Sequence, residues 1–151
     1  MSRVALLDVN VLVALFDPEH VHHDLAHDWF ADQRTHGWAT CPITENGFVR
    51  VLTNPKYPAG HPRPLDVVDR LRTFCASGQH RFIADTLSLT DHRVFNAALI
   101  RGHRQLTDVY LLGLAKRAGA TLATFDRTIP LAAVIGASQA QLTVVAPGSD
   151  E

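Results

Sequence analysis

Lysine is almost missing from this sequence. Lys56 and Lys116 are the only two, so the positive charge rests on arginine, whose planar guanidinium favours bidentate contacts to phosphate. Neither sign of charge is in excess: 14 basic residues face 15 acidic ones, for a net charge of −1. No global basic field advertises a nucleic-acid partner, although a local patch would suffice for one. Cysteine is scarce too. Cys41 and Cys75 form no metal motif with each other, and they point to a reducing compartment in which both stay thiols. No apolar run approaches a membrane span, and no secretory leader pattern precedes the first strand-like run. The expectation is a soluble cytoplasmic protein with no membrane partner. There is no glycine-rich phosphate loop, no internal repeat and no low-complexity segment. The one zinc-protease-like pattern, His23-Asp24-Leu25-Ala26-His27, has Asp where that motif needs Glu and lacks a third ligand.

What is present is an apolar, folded composition: 46% hydrophobic and 19% charged over 151 residues. That suits a single domain with a real core. The expected domain spans residues 1–146, with a mobile tail over 147–151. The chain opens on Val4-Ala5-Leu6-Leu7, a strand-like run that ends on Asp8, and a short helix follows over Asn10–Phe16. An amphipathic helix is expected over His22–Gly37, a strand over Trp38–Thr40, and a helix that begins at Pro42 and ends at Asn54-Pro55. A Pro-rich loop covers Pro55–Pro64, and Leu65–Ala76 reads as a helix. Then come a strand at Arg81–Ala84, a helix over Asp91–Ile100, and a helix capped by Thr107 and stopped by Gly119. A buried strand over Thr121–Phe125 ends on Asp126. A helical piece at Pro130–Ile135 and a strand at Leu142–Ala146 finish the pattern. Strands alternating with helices predict an α/β fold with a mainly parallel sheet.

Ligands in open α/β sheets bind at the carboxyl ends of the strands. Asp8 and Asp126 each end an apolar strand, and Glu45 and Asp108 each sit in the first turn of a helix. Taken singly, each has an ordinary explanation as a cap, a turn residue or a partner of the helix dipole. Taken together, they place four carboxylates on one rim. Such a cluster raises its own pKa values unless a cation neutralises it. Oxygen donors without a thiolate or imidazole set suit Mg²⁺ or Mn²⁺. A carboxylate-held Mg²⁺ suits phosphoryl chemistry, and without a phosphate loop a nucleic-acid phosphodiester fits better than a nucleoside triphosphate.

The stretches LLDVNVLVAL around Asp8, ITENGFVRVL around Glu45, and LTDVYLLGLAKRAGATLATFD from Leu106 to Asp126 resemble a PIN domain. More narrowly, they resemble the VapC toxins of bacterial type II toxin–antitoxin systems, over nearly the whole chain. The resemblance implies a PIN-like three-layer sandwich and a Mg²⁺- or Mn²⁺-dependent endoribonuclease. It also implies a homodimer and a small antitoxin that occupies the active site. Position by position, Asp8 and Asp108 would be principal metal ligands, with Glu45 and Asp126 completing the acidic set. Asn10 would support Asp8, and Thr124 lies on the strand that presents Asp126. Where many relatives carry a further acid or polar residue soon after the last Asp, Arg127 and Thr128 stand here.

Arg101, His103 and Arg104 form a small basic group just before Thr107, suited to phosphate contact. Tyr57, in the Pro-rich loop with Lys56, His61 and Arg63, offers a stacking face for RNA. The apolar helices Val11–Phe16 and Phe48–Leu52 exceed what one core buries, and a homodimer face or an antitoxin groove would absorb the excess. Two rival readings are a phospho-acceptor receiver domain and a PIN fold that binds without catalysis. The receiver reading is the weaker: Asp8 has Val9 beside it in place of a second acid, and no lysine follows the last strand.

Overall fold

The computed structural model describes residues 3–58 and 60–147. The tail expected over 147–151 therefore falls, beyond Pro147, outside the described residues.

Five short strands form one sheet: β1 (Ala5–Leu7), β2 (Trp38–Thr40), β3 (His80–Phe82), β4 (Thr121–Thr124) and β5 (Leu142–Val144). Their order is β3-β2-β1-β4-β5 and every pairing is parallel. β1 is central, in register with Trp38 through Ala5 and with Ala123 through Leu7. A parallel central strand is covered on both faces, and all three residues of β1 are buried. Side chains alternate between the two faces. Leu6, Ala39 and Leu122 join a core with helix α5 (Leu106–Arg117). Ala5, Leu7, Trp38 and Ala123 join a second core. That core is built on α1 (Val9–Phe16), α2 (His23–Gln33), α3 (Pro42–Thr53) and α4 (Pro64–Cys75). The result is a three-layer PIN-like sandwich. Among the described residues, no helix is long and apolar enough to cross a membrane.

α1 is rich in β-branched residues, which are weak helix formers, yet Val11 to Leu15 are all buried and packing overrides propensity. Its start is fixed by Asp8, whose carboxylate accepts the Val11 N–H at 2.8 Å. α3 begins at Pro42, and the Thr44 hydroxyl accepts the Cys41 N–H at 2.9 Å. α1 and α3 approach closely at Gly47: a Cβ built there would lie 2.6 Å from Cγ2 of Val9.

Two expectations fail. The helix expected over Asp91–Ile100 is absent. The Asp91 carboxylate accepts the Arg93 N–H at 3.0 Å and forms a local turn. Asn96 N–H then donates to Ala133 O and Ile135 N–H to Val94 O, both at 2.9 Å, so Phe95 bridges to Val134 and is buried. Only a 3₁₀ turn, Ala97–Leu99, remains. Nor does Thr107 cap α5. A 3₁₀ turn, His103–Gln105, runs straight into that helix, which starts at Leu106, so Thr107 lies within its first turn. Smaller shifts occur at ends. α2 stops at Gln33, where the side chain donates to Gly37 O at 2.9 Å, and Pro130–Ile135 holds only a 3₁₀ turn, Leu131–Ala133.

A Gly→Ala change in an open helix gains about 1 kcal/mol. At Gly47 the short Val9 side chain cannot swing away, and overpacking of this kind costs roughly 1–3 kcal/mol. Gly47→Ala is therefore expected to lower stability in denaturant melts, whereas a gain would show that α1 and α3 are not pressed together as described.

Candidate functional site

The site is built where β1 and β4 end side by side. Asp8 leaves β1 with its N–H donated to Ala123 O at 3.1 Å, and its side chain is buried. Burial pushes the carboxyl up to about 6. The Thr124 side chain and the N–H groups of Val11 and Asn10 oppose that rise, and Asp108 adds to it. Asp108, in the first turn of α5, is also pushed up to about 6, by burial first and by the charge of Asp126 second. Asp126, exposed just beyond β4, is held in place by its neighbours. Its Oδ1 accepts from the N–H and hydroxyl of Thr128 at 2.7 and 2.6 Å, and its own N–H donates to the Thr124 hydroxyl at 3.1 Å. Thr124 thus touches both ends of the acidic set.

These three aspartates feel one another's charge, and no cation offsets it. Among the described residues the salt bridges are Arg63–Asp66, Arg72–Asp69 and Arg93–Asp91, all elsewhere. A buried carboxylate without a cationic partner is costly. An all-oxygen donor set at a carboxylate-rich edge fits a hard divalent cation.

Glu45, the fourth carboxylate expected on this rim, lies in the first turn of α3. Its Oε2 accepts the Thr40 hydroxyl at 2.7 Å, and its carboxylate lies with Cys75 and His80. Ile43, Asn46, Gly47 and Arg50 share one face of α3, at i, i+3, i+4 and i+7. Together with Val9, Asp85 and Thr107 they line a cavity of about 520 Å³ beside Asp8 and Asp108.

The supporting residues lie in different places. Asn10 helps Asp8 through its backbone N–H, and its side chain is exposed. His103 and Arg104 are exposed on the 3₁₀ turn that leads into α5, and Arg101 is exposed just before it, near the end that carries Asp108. Tyr57 lies elsewhere. Its hydroxyl donates to the Asp17 carboxylate at the far end of α1, about 12 Å along the helix from Asp8. That bond and burial push the phenol up to about 12.

Three residues beside the acids escaped the sequence reading, and the packing of a fourth, His22, was not legible in it. Asp85, beyond β3, lines that cavity, and burial pushes its carboxyl above the usual carboxylate range. Asn46 and Arg50 reach the cavity through the helical period of α3, the one signal that would have found them. His22 packs on Phe125, with ring centroids 4.6 Å apart, immediately before Asp126. No local pattern announces that contact.

A family model for the PIN domain matches residues 5–134. The chain belongs to the PIN-domain family. It is 51% identical over 126 residues to Ribonuclease VapC38 of Mycobacterium tuberculosis, covering 82% of this chain and 85% of that one. It is 42% identical over 144 residues to Ribonuclease VapC44 of the same organism, covering 93% and 99%. Within the family it thus falls among the VapC ribonucleases. The fold agrees with the crystal structure of M. tuberculosis VapC20, a toxin described as cleaving the sarcin–ricin loop. The TM-score is 0.60 at 14% identity, over 87% of this chain and 96% of that one. Membership in this family removes the receiver-domain alternative.

The two raised carboxyls carry a stability signature. In the unfolded chain Asp8 ionises near 3.8, and in the fold near 6. The folded state therefore holds the extra proton, and stability of chelator-treated protein should fall as pH rises from about 4 to 6, then level off. A shift of this size is worth roughly 3 kcal/mol at Asp8. Asp8→Asn keeps a capping oxygen for Val11 and removes the charge. It should remove about half of that pH dependence, the rest belonging to Asp108, and raise the melting temperature near neutral pH. Identical pH profiles for both proteins would contradict the burial assigned to Asp8.

Proposed function

We propose that this protein is a Mg²⁺- or Mn²⁺-dependent endoribonuclease, acting in the cytoplasm as the toxin of a toxin–antitoxin pair. The observation that carries the reading is the set Asp8, Asp108 and Asp126: mutually repelling, partly buried and without a cationic partner. The activity named for VapC38 and VapC44 gives the reaction class.

In this reading the three aspartates hold the divalent cation, which when bound neutralises phosphate charge and activates a water for attack at phosphorus. The chain's own work is positioning. The Val11 N–H locks one oxygen of Asp8, and Thr128 locks Asp126. Little rotamer freedom is then left to lose when substrate arrives. Arg101, His103 and Arg104 contact backbone phosphates outside the cleft. The cavity bounded by Asn46, Arg50 and Asp85 takes part of the RNA chain next to the scissile bond. Glu45, in the first turn of α3, completes the acidic set in this reading, with the Thr40 hydroxyl holding its Oε2. The antitoxin is a protein segment that covers the same cleft, and a homodimer buries remaining apolar helix surface.

The test is to incubate total RNA with purified protein and map new ends by sequencing, with Mg²⁺ or with chelator. Wild type should cut at discrete positions only with the cation. Asp8→Asn and Asp108→Asn should each lose roughly 100- to 1,000-fold in rate. Equal cutting by all three proteins, or undiminished cutting in chelator, would refute the assigned metal site, and no cutting by wild type would leave a PIN fold that binds without catalysis.

A further inference from the structure

One of the chain's two lysines stands in a pocket at the far end of α5 from Asp108. Lys116 and Arg117 lie in the last turn of that helix. With Arg93, Val94, Val134 and Ile135 they line a cavity of about 220 Å³. Three of its lining residues are cations and none is acidic. The cavity is built from secured parts. Phe95 packs on α5 at Gly113, where a Cβ would lie 2.6 Å from the ring. The backbone on either side of Phe95 is tied to residues 133–135, through Ile135 N–H to Val94 O and Asn96 N–H to Ala133 O, both at 2.9 Å. Arg93 and Val94 are thereby held against the end of α5. Lys116 is placed as well. Its Cε and Nζ lie 3.5 and 3.6 Å from where a Cβ on Gly136 would stand, so the side chain follows that turn.

The ordinary use of cations at this point in a helix is to satisfy its carboxyl end. That end is satisfied without these two side chains. Ala118 N–H donates to Leu114 O at 3.0 Å, Gly119 N–H to Lys116 O at 3.2 Å and Ala120 N–H to Ala115 O at 2.8 Å. Arg81 supplies a cation there, with Nη1 donating to Ala118 O at 3.3 Å. Among the described residues neither Lys116 nor Arg117 has an ion pair. Arg93 donates to Asp91 through Nε and Nη2 alone, which leaves Nη1 for another acceptor. Even with Asp91 counted, the pocket keeps a net positive charge. Two guanidinium groups and an ammonium around one concave site match a phosphate, a compact anion with several acceptor oxygens.

We infer that Arg93, Lys116 and Arg117 hold a backbone phosphate of the RNA, outside the catalytic cleft. The inference rests on the ribonuclease reading given above. Asp108 and Lys116 lie on the same helix, about 12 Å apart along its axis. A few nucleotides span that distance, so one strand can occupy the aspartates and this pocket together. Such a contact carries no sequence information. It adds salt-dependent affinity and fixes the direction in which the strand leaves the cleft.

Amine acetylation reads the pocket directly, because Lys56 and Lys116 are the only lysines. Protein in chelator is acetylated with and without a single-stranded RNA oligonucleotide, and both lysines are quantified by mass spectrometry. RNA should protect Lys116 several-fold and Lys56 little. Arg117→Gln should lose that protection, and neither inorganic phosphate nor an acidic peptide at equal charge should reproduce it. Fluorescence anisotropy with the same oligonucleotide gives a second readout. Lys116→Gln and Arg117→Gln should each reduce the steepness of log Kd against log salt by about 0.7, and Arg72→Gln on α4 should leave it unchanged. Lys116 unprotected by bound RNA, equal protection of both lysines, protection by phosphate or peptide as strong as by RNA, or the same slope change in Arg72→Gln would each overturn the site. Wild type that cuts RNA with Lys116 unprotected would overturn this inference and leave the ribonuclease reading standing. Failure of that reading shows instead as RNA left whole in the presence of the cation.

Discussion

The structure turns on one carboxylate placed where carboxylates are unwelcome. Asp8 ends the central strand β1, caps α1 and is buried, all at once. Its cap bond stabilises the helix by about 1 kcal/mol. Its burial works the other way, by roughly 3 kcal/mol once the group ionises. The second effect is larger, so capping alone does not explain an ionisable residue there. Asn or Ser would cap as well without the penalty. Asp108 and Asp126 deepen the conflict, since each carries charge of the same sign toward the same edge. A divalent cation at that edge would turn this repulsion into attraction, and the neighbouring groups already hold Asp8 and Asp126 in place.

Much of the supporting structure follows from that demand. The parallel order puts β1 next to β4, so two strand-end acids arrive on one rim. Thr124, on β4, reaches both Asp8 and the backbone of Asp126. Gly47 lets α3 press against Val9, which brings the Asn46 and Arg50 face of that helix to the cavity beside the acids. The opposite end of α1 is pinned separately, by Tyr57 on Asp17 and by Arg70 on the Phe16 carbonyl at 3.4 Å. The helix that Asp8 caps is therefore fixed at both ends.

The strand-end logic that located Asp8 and Asp126 is sound because a strand's end and its sheet edge are the same place. Placing Asp108 in the first turn of α5 likewise succeeds, even though Thr107 is not the cap. The contacts that Glu45 makes were not legible in the same way. A first-turn position sets height above the sheet but not which side chains are met there, in this case the Thr40 hydroxyl with Cys75 and His80 close by. The cross-chain pairing of residues 94–96 with 133–135 was equally invisible, because it is made by backbone groups whose partners lie some forty residues away. The histidine pair His23 and His27 is accounted for locally: His23 Nδ1 lies 2.7 Å from Ala14 O, and the two rings pack together. Cys75 and His80 carried no motif with Glu45, since only the fold brings them together.

The claim that a cation compensates buried aspartates is tested most directly by the protons it displaces. Mn²⁺ should be titrated into chelator-treated protein calorimetrically, at about pH 6 and about pH 8, in buffers of different ionisation enthalpy. With Asp8 and Asp108 both titrating near 6, each is half-protonated at the lower pH. Binding should then release about one proton per chain near pH 6 and almost none near pH 8. Asp8→Asn should reduce both the affinity and the proton count. Tight Mn²⁺ binding with no proton release near pH 6, unchanged in Asp8→Asn, would place the cation elsewhere and contradict the account.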